Sequence, residues 1–232
     1  MKKNKNRFTS PLLFGIMAIV ALLSACERDN RPEPKSVLKG RVIYDGQPIG
    51  VRSNGVQLEL WQRGYQLFTK IPVYVNQDGT FSASLFDGNY KLVRLRGNGP
   101  WTDNTDTIQV ELRGTTEIDV PVNPYFVFQN DTYSKGEGKV SATFELKQVD
   151  ATRNLERVNL YIGTTMVVDQ NNNAGNVQEV AANIKDLTRP ITLTATLSPA
   201  LAGREYVFAR IGVKTAGVGE MLFGQPQKVM LK

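Results

Sequence analysis

Four sets of residues have types and spacings that could do chemistry. Asp103 and Asp106 stand three apart beside Trp101 and have the form of the carboxylate pair of a glycosidase, an acid plus a base or nucleophile flanking a sugar bond. Two aspartates in a Gly/Pro/Thr-rich loop are more often solvated turn formers. Ser36-Val37-Leu38-Lys39 fits the Ser-x-x-Lys string of serine acyl enzymes, which needs a helical turn to bring the lysine beside the serine. Here the string falls where a linker meets a strand, so a chance match is expected. Asp169 to Gly175 mimics the opening of a calcium loop, but its glycine is seventh instead of sixth and Val180 stands where the twelfth-place glutamate belongs. That excludes an EF-hand and leaves a looser calcium site or a plain Asn-rich loop; no metal or cofactor is assigned.

The fourth set is aromatic. Trp61 shares the parity of Gln57 and Glu59, opposite Val56, Leu58 and Leu60, and is therefore sent outward, while Trp101 follows the Gly97-Asn98-Gly99-Pro100 loop. A large ring in water calls for a reason. Sugar stacking is one, with Gln62, Arg63 and Tyr65 near Trp61, and Asn98, Asp103 and Asn104 near Trp101, bonding the hydroxyls. The alternative is packing: Trp61 under the Gly64-Tyr65 segment or against a second domain, and Trp101 over the open end of a sandwich.

Two features of composition narrow the chemistry further. The 232 residues contain no histidine, which excludes Ser-His-Asp and Cys-His catalysis and imidazole-ligated metals. Cys26 is the one cysteine, so no intramolecular disulfide or Cys-cluster metal site can form.

The elements that must position these residues are strands. Alternation of period two runs through Val56 to Leu60, Ile71 to Val75, Ile108 to Leu112, Val140 to Leu146, Val158 to Ile162, Ile191 to Leu197 and Val207 to Val213. Turn signals punctuate the runs at Asp45-Gly46, Asp78-Gly79, Asp87-Gly88 and Gly97 to Pro100. No long segment after the amino terminus carries a 3.6-residue stripe. The expected body is all-β, of half-buried antiparallel strands stacked as sandwiches. Pro121-Val122-Asn123-Pro124 breaks it into two domains, 36–122 and 123–232, joined by a stiff connector and each with its own core.

The amino terminus is an export signal. Lys2, Lys3, Lys5 and Arg7 precede an apolar run of 14 residues, Leu12 to Ala25, shorter than the roughly 20 that span a bilayer. Without those four cations the chain has 24 Lys+Arg against 22 Asp+Glu, so the formal +6 is no nucleic-acid footprint. Leu23-Ser24-Ala25-Cys26 resembles the lipobox of bacterial lipoproteins, which implies cleavage after residue 25 and acylation of Cys26. Residues 26–35, charged and proline-bearing, are the expected tether. The acidic residues after the cysteine, interrupted by Arg28, resemble a Bacteroidetes surface-export signal. An outer-membrane lipid anchor with display on the cell surface is the resulting expectation. Asp106-Thr107-Ile108 likewise resembles a Bacteroidetes O-glycosylation motif, which would mark Thr107 as exposed.

Gly40-Arg41-Val42 with Pro48-Ile49, Asp78-Gly79-Thr80-Phe81, and Leu85-Phe86-Asp87-Gly88-Asn89-Tyr90-Lys91-Leu92 resemble the seven-stranded prealbumin-like sandwich of carboxypeptidase regulatory-like domains. With Trp61 to Tyr65, Pro121 to Tyr125 and Arg210 to Lys214, the chain after residue 36 is similar to a two-domain Bacteroidetes lipoprotein family, domain-of-unknown-function family 3823. That resemblance implies an immunoglobulin-like or fibronectin-like second domain. It also implies association with starch-utilisation-type glycan uptake, beside an outer-membrane transporter and its substrate-binding lipoprotein. The expected function is non-catalytic assistance to such a complex, by holding polysaccharide or by spacing its partners. The alternatives are a structural or adhesive module without sugar binding and, third, a histidine-free glycoside hydrolase.

Overall fold

The computed structural model describes residues 32–64 and 67–232, of which 34–232 form one compact unit. The export signal, Cys26 and Tyr65 lie outside the described residues, and 32–35 have no regular structure.

The described residues are almost all β, two sandwiches in tandem. In the first, β1 (Ser36–Tyr44) is flanked by β5 (Thr80–Leu85) and the two-residue β2 (Gln47–Pro48) on one side and by β8 (Thr115–Pro121) on the other. The facing sheet runs β4 (Lys70–Tyr74), β3 (Gln57–Trp61), β6 (Gly88–Arg94), β7 (Ile108–Leu112). The β1–β8 pair is parallel, from Val37↔Thr115 to Ile43↔Pro121, and departs from the antiparallel pairing that alternation suggests. Alternation reports which face is buried, not strand direction.

The second sandwich packs a three-stranded sheet against a five-stranded one. The smaller holds β9 (Phe126–Gly136), β10 (Lys139–Gln148) and β13 (Ile191–Thr196), with β10 central. The larger holds β11 (Leu155–Gly163) and β14 (Tyr206–Thr215) at its centre. Its edges are β12 (Gly175–Val180) and the pair β15 (Leu222–Phe223) and β16 (Gln227–Met230). The alternating residues 140–146 and 207–213 face inward, as their period requires.

The buried residues of the two domains run into one another across the junction. Leu38, Leu58, Trp101, Val120, Phe126, Phe144, Leu160 and Ile211 belong to one contiguous buried cluster. The residues read as a connector are held on both sides: Val122 N–H donates to Ile43 O at 2.9 Å and Thr102 N–H to Asn123 O at 2.9 Å in the first domain, while Val149 N–H of the second donates to Tyr125 O at 2.9 Å.

Arg210 holds the seam. Its side chain rises from β14 with no solvent exposure and uses all five N–H donors. Nε donates to Gly224 O at 2.7 Å, and Nη1 to Val168 O at 3.1 Å and Gln77 Oε1 at 3.4 Å. Nη2 donates to Val51 O at 3.1 Å and Gln77 O at 2.6 Å. Val51 and Gln77 belong to the first domain; Val168 and Gly224 belong to the second. Phe223 lies 4.6 Å from the guanidinium, a cation–π contact. Burial pulls the Arg210 pKa down to about 10, against the nearby Asp169, so the group is still a cation at neutral pH. Beside it Arg52 makes a two-pronged pair with Glu220, at 2.7 and 3.2 Å, and Phe223 N–H donates to Gly50 O at 2.9 Å. A Cβ on Gly50 would lie 2.3 Å from Phe223 O, so only glycine permits this approach.

Exposed pairs such as Lys39–Glu117 and Arg113–Glu111 are screened by water and do not decide stability. Arg210→Ala removes a donor from the carbonyls of Val51, Val168 and Gly224 and one of two donors from Gln77 O, and should cost roughly 3–5 kcal/mol. Urea unfolding checks this: the native chain is expected to unfold in one transition, and the variant at markedly lower urea. Equal midpoints would refute the role given to Arg210.

Candidate functional site

The outer face of the β4-β3-β6-β7 sheet follows from its register. Gln57 pairs with Tyr74, Glu59 with Pro72, and Trp61 with Lys70 on one side and Lys91 on the other. Directly paired residues share a face, so Trp61, Tyr74, Gln57, Glu59, Lys70 and Lys91 stand together away from the core. Trp61 is half-buried because Phe68 leans on it, with ring centroids 5.1 Å apart and planes tilted by 40°. Phe68 and Tyr74 are 56% and 50% exposed, far more than core rings.

Glu59 fixes the indole. One carboxylate oxygen accepts from Trp61 Nε1 at 3.2 Å and the other from Lys70 Nζ at 2.6 Å, and the side chain is itself buried beneath these partners. Trp61 and Tyr74 lie four residues apart along paired strands, about 13 Å at the usual strand rise. A ligand touching both must be a chain of units, not a single small ring. Of the other residues expected here, Arg63 is exposed and open to a ligand. Gln62 turns toward the β6 hairpin, where a Cβ on Gly88 would lie 2.3 Å from its Nε2.

The expected site around Trp101 comes apart. Trp101 is 5% exposed, belongs to the core cluster and bridges to Pro124, so the expectation of an open stacking ring is corrected in favour of a plug between loop and domain junction. Asn98 is likewise engaged: Oδ1 accepts from Gln57 N–H at 2.6 Å and Nδ2 donates to Gly55 O at 3.1 Å. Asp103 accepts from Gly97 N–H at 2.7 Å and Arg96 Nε at 3.2 Å, and Asn104 Oδ1 accepts from Asp106 N–H at 2.6 Å. These are loop-closing bonds of the turn-former kind. Asp103, Asn104 and Asp106 line one open cavity of about 580 Å³ with Arg94 and Asn123. Arg94 is spent on the fold, with Nη1 donating to Pro121 O at 2.9 Å and burial lowering its pKa. Thr107 is exposed.

The remaining motifs resolve as local structure. Ser36 and Lys39 lie on strand β1, not one helical turn apart; Ser36 Oγ donates to Asp87 and accepts from Gly114 N–H at 3.1 Å, while Lys39 pairs with Glu117. The Asp169 loop wraps its own carboxylate, which accepts from Asn171 N–H at 2.8 Å and Asn172 N–H at 3.0 Å. Among the described residues no group of three or more Asp, Glu, His or Cys is placed to hold a metal.

The sequence reading did not single out Tyr74, Phe68, Glu59 or Lys70 as site residues. Alternation over 71–75 already sends Tyr74 outward; what one strand cannot reveal is that 57–61 pairs with 70–74 and sets Tyr74 on the Trp61 face. Phe68 sits in a loop, where no periodicity speaks.

Fold and face together define a two-domain β-sandwich protein whose first domain presents an aromatic and polar sheet surface. The chain belongs to the DUF3823 family: residues 36–123 match its N-terminal domain, described as a protein of unknown function, and 126–228 match its C-terminal domain, DUF3823_C, a domain of unknown function. It is similar to a DUF3823 family protein from Bacteroides ovatus ATCC 8483, with 40% identity and TM-score 0.80 over 85% of this chain and 100% of that one. A DUF3823 family protein from Parabacteroides merdae ATCC 43184 shows 33% identity and TM-score 0.78 over 86% and 100%. A Bacteroides uniformis ATCC 8492 protein, described as a putative carbohydrate binding protein, shares the fold at 18% identity and TM-score 0.71 over 85% and 100%. No match is found among curated proteins.

The two tryptophans are expected to separate by stability. Trp101→Ala should cost roughly 3–5 kcal/mol as a core truncation, whereas Trp61→Ala should cost well under half as much. Thermal unfolding of the two variants checks the assignment, and equal losses would contradict it.

Proposed function

We propose that this chain is a non-catalytic cell-surface lipoprotein that holds polysaccharide for a glycan-uptake complex, and that the Trp61 face is its platform. The observation that carries the reading is the pairing of a Glu59-oriented indole with exposed Phe68 and Tyr74 on a sheet face edged by Gln57, Lys70 and Lys91. Axial C–H groups of a pyranose pack on such rings, and the flanking amides, ammonium groups and carboxylates bond hydroxyls. The sugar rings displace water from apolar surface while the polar groups stay paired. A protein of this fold from Bacteroides uniformis is described as a putative carbohydrate binding protein, which supports the class of ligand.

Acylation at Cys26 would tether the body to the outer membrane through residues 26–35, each buried methylene contributing about 0.8 kcal/mol. An outer-membrane transporter and its substrate-binding lipoprotein are the partners proposed for it. Scaffolding without sugar binding is the second reading, favoured by the 78% exposure of Leu67 beside Phe68, an apolar patch that would also suit a protein partner.

Affinity electrophoresis of the chain from Glu27 onward, through gels holding host, plant and microbial polysaccharides, decides between them. Retardation by at least one glycan is expected, abolished in Trp61→Ala and weakened several-fold in Tyr74→Ala, with folding of both variants verified by thermal unfolding. No retardation by any glycan, or retardation that neither substitution alters, would overturn the platform.

A further inference from the structure

A second concave site lies where the domains meet, away from the Trp61 face. The β1–β2 hairpin of the first domain supplies Tyr44, Asp45 and Gln47 on one wall. Strands β9 and β10 supply Phe128, Gln129, Asp131 and Lys147 on the other, enclosing about 350 Å³. That volume lies at the lower end of the range for small-molecule sites.

Both walls are rigid. Asp45 and Gly46 carry φ of 50° and 73°, the left-handed pair of a tight two-residue hairpin. Across the cleft Asn130 has φ of 53°, where β9 holds a bulge: Gln129 pairs with Glu145 and Thr132 with Thr143, so Asn130 and Asp131 together oppose Phe144. A bulge redirects side chains and recurs beside binding sites. Phe128 is locked edge-on against core Phe144, with centroids 5.5 Å apart and planes at 83°. Asp45, Gln47, Gln129 and Lys147 line this space and are exposed, and their side chains make no hydrogen bond or ion pair with another described residue. Arg210 bonds both domains, so the backbones that form the two walls are held together before a ligand arrives.

From this juxtaposition we infer that the interdomain cleft is a binding site for a short neutral saccharide. Half-buried Tyr44 and Phe128 offer apolar ring surface. Two amides, two carboxylates and one ammonium group offer both donors and acceptors for hydroxyls. Two carboxylates against one lysine leave a net negative wall, which repels uronic acids and phosphorylated sugars. A space of about 350 Å³ matches a free mono- or disaccharide or a chain end, which is the occupant inferred. The choice of sugar over other neutral polar ligands rests on the glycan reading above; the site itself does not.

Saturation-transfer NMR on the chain from Glu27 onward tests this. The probes are glucose, galactose, mannose and xylose, their disaccharides, and glucuronic acid as the charged control. The expected result is binding of at least one neutral sugar and none of glucuronic acid. Binding should be retained in Trp61→Ala, weakened at least tenfold in Gln129→Ala/Lys147→Ala, and abolished in Gln129→Trp, which fills the cleft from an exposed position. The inference is overturned if no neutral sugar binds, if glucuronic acid binds as well as the neutral sugars, if the cleft variants bind as the native chain does, or if Trp61→Ala abolishes binding. The last result would return the sugar to the sheet face. Polysaccharide retardation that persists in Gln129→Trp while short sugars fail to bind would sink the cleft and leave the platform standing; short-sugar binding without any polysaccharide retardation would do the reverse.

Discussion

One buried cation organises the molecule. A guanidinium with no solvent exposure is tolerable only when every donor has an acceptor, and Arg210 finds its acceptors on both sides of the domain boundary. Carbonyls at Val51 and Gln77 must therefore stay where β14 can reach them. That constraint brings Gly50 against Phe223, places Arg52 beside Glu220, and lets the two sandwiches share one core instead of swinging about residues 121–124. The connector between them is short and proline-bearing, and its own backbone bonds to Ile43, Pro100 and Thr102 add to the hold of the guanidinium and the glycine contact.

Rigidity of this kind sets what the surfaces can do. The Trp61 face lies on a sheet whose edge strand β4 has Pro72 at its middle, opposite Glu59. Proline offers no N–H, so this edge is a poor template for adding another strand, and the flat face is the part left available. On that face Glu59 and Lys70 hold the indole before any ligand arrives, which reduces the ordering cost of binding. The interdomain cleft draws its walls from both domains, which the bonds of Arg210 hold together.

How much of this was legible in the sequence varies with the range of the interaction. Strand-forming segments and their buried faces were readable: Val140 to Leu146 and Val207 to Val213 alternate, and the structure buries the residues that alternation marks. Asp45-Gly46 announced its hairpin because only a few residue types accept its backbone. The outward placement of Trp61 followed from the same parity. Trp101 did not, since a ring in a loop has no parity, and its burial depends on Pro124 arriving from the next domain. Asn98 and Asp103 had the right functional groups for sugar hydroxyls, but Asn98 bonds Gln57 and Gly55, and Asp103 bonds Gly97 and Arg96. Tyr74 could not be joined to Trp61 until the register of β3 with β4 was known, and the role of Arg210 depends on carbonyls more than 130 residues away. Local periodicity fixes faces, whereas partners across strands and domains are decided by packing that no window of sequence contains.

Polysaccharide lying on the indole of Trp61 is directly measurable, because the chain has only two tryptophans. Trp101 is buried and Trp61 is half-open, so quenching of the intrinsic fluorescence by acrylamide or iodide reports chiefly on Trp61. With the sugar on the indole, titration with a glycan that retards the protein will shield the quenchable component and shift its emission, in proportion to occupancy. Quenching that is unchanged at saturating glycan would mean that the sugar binds elsewhere and that the Trp61 face is not the platform.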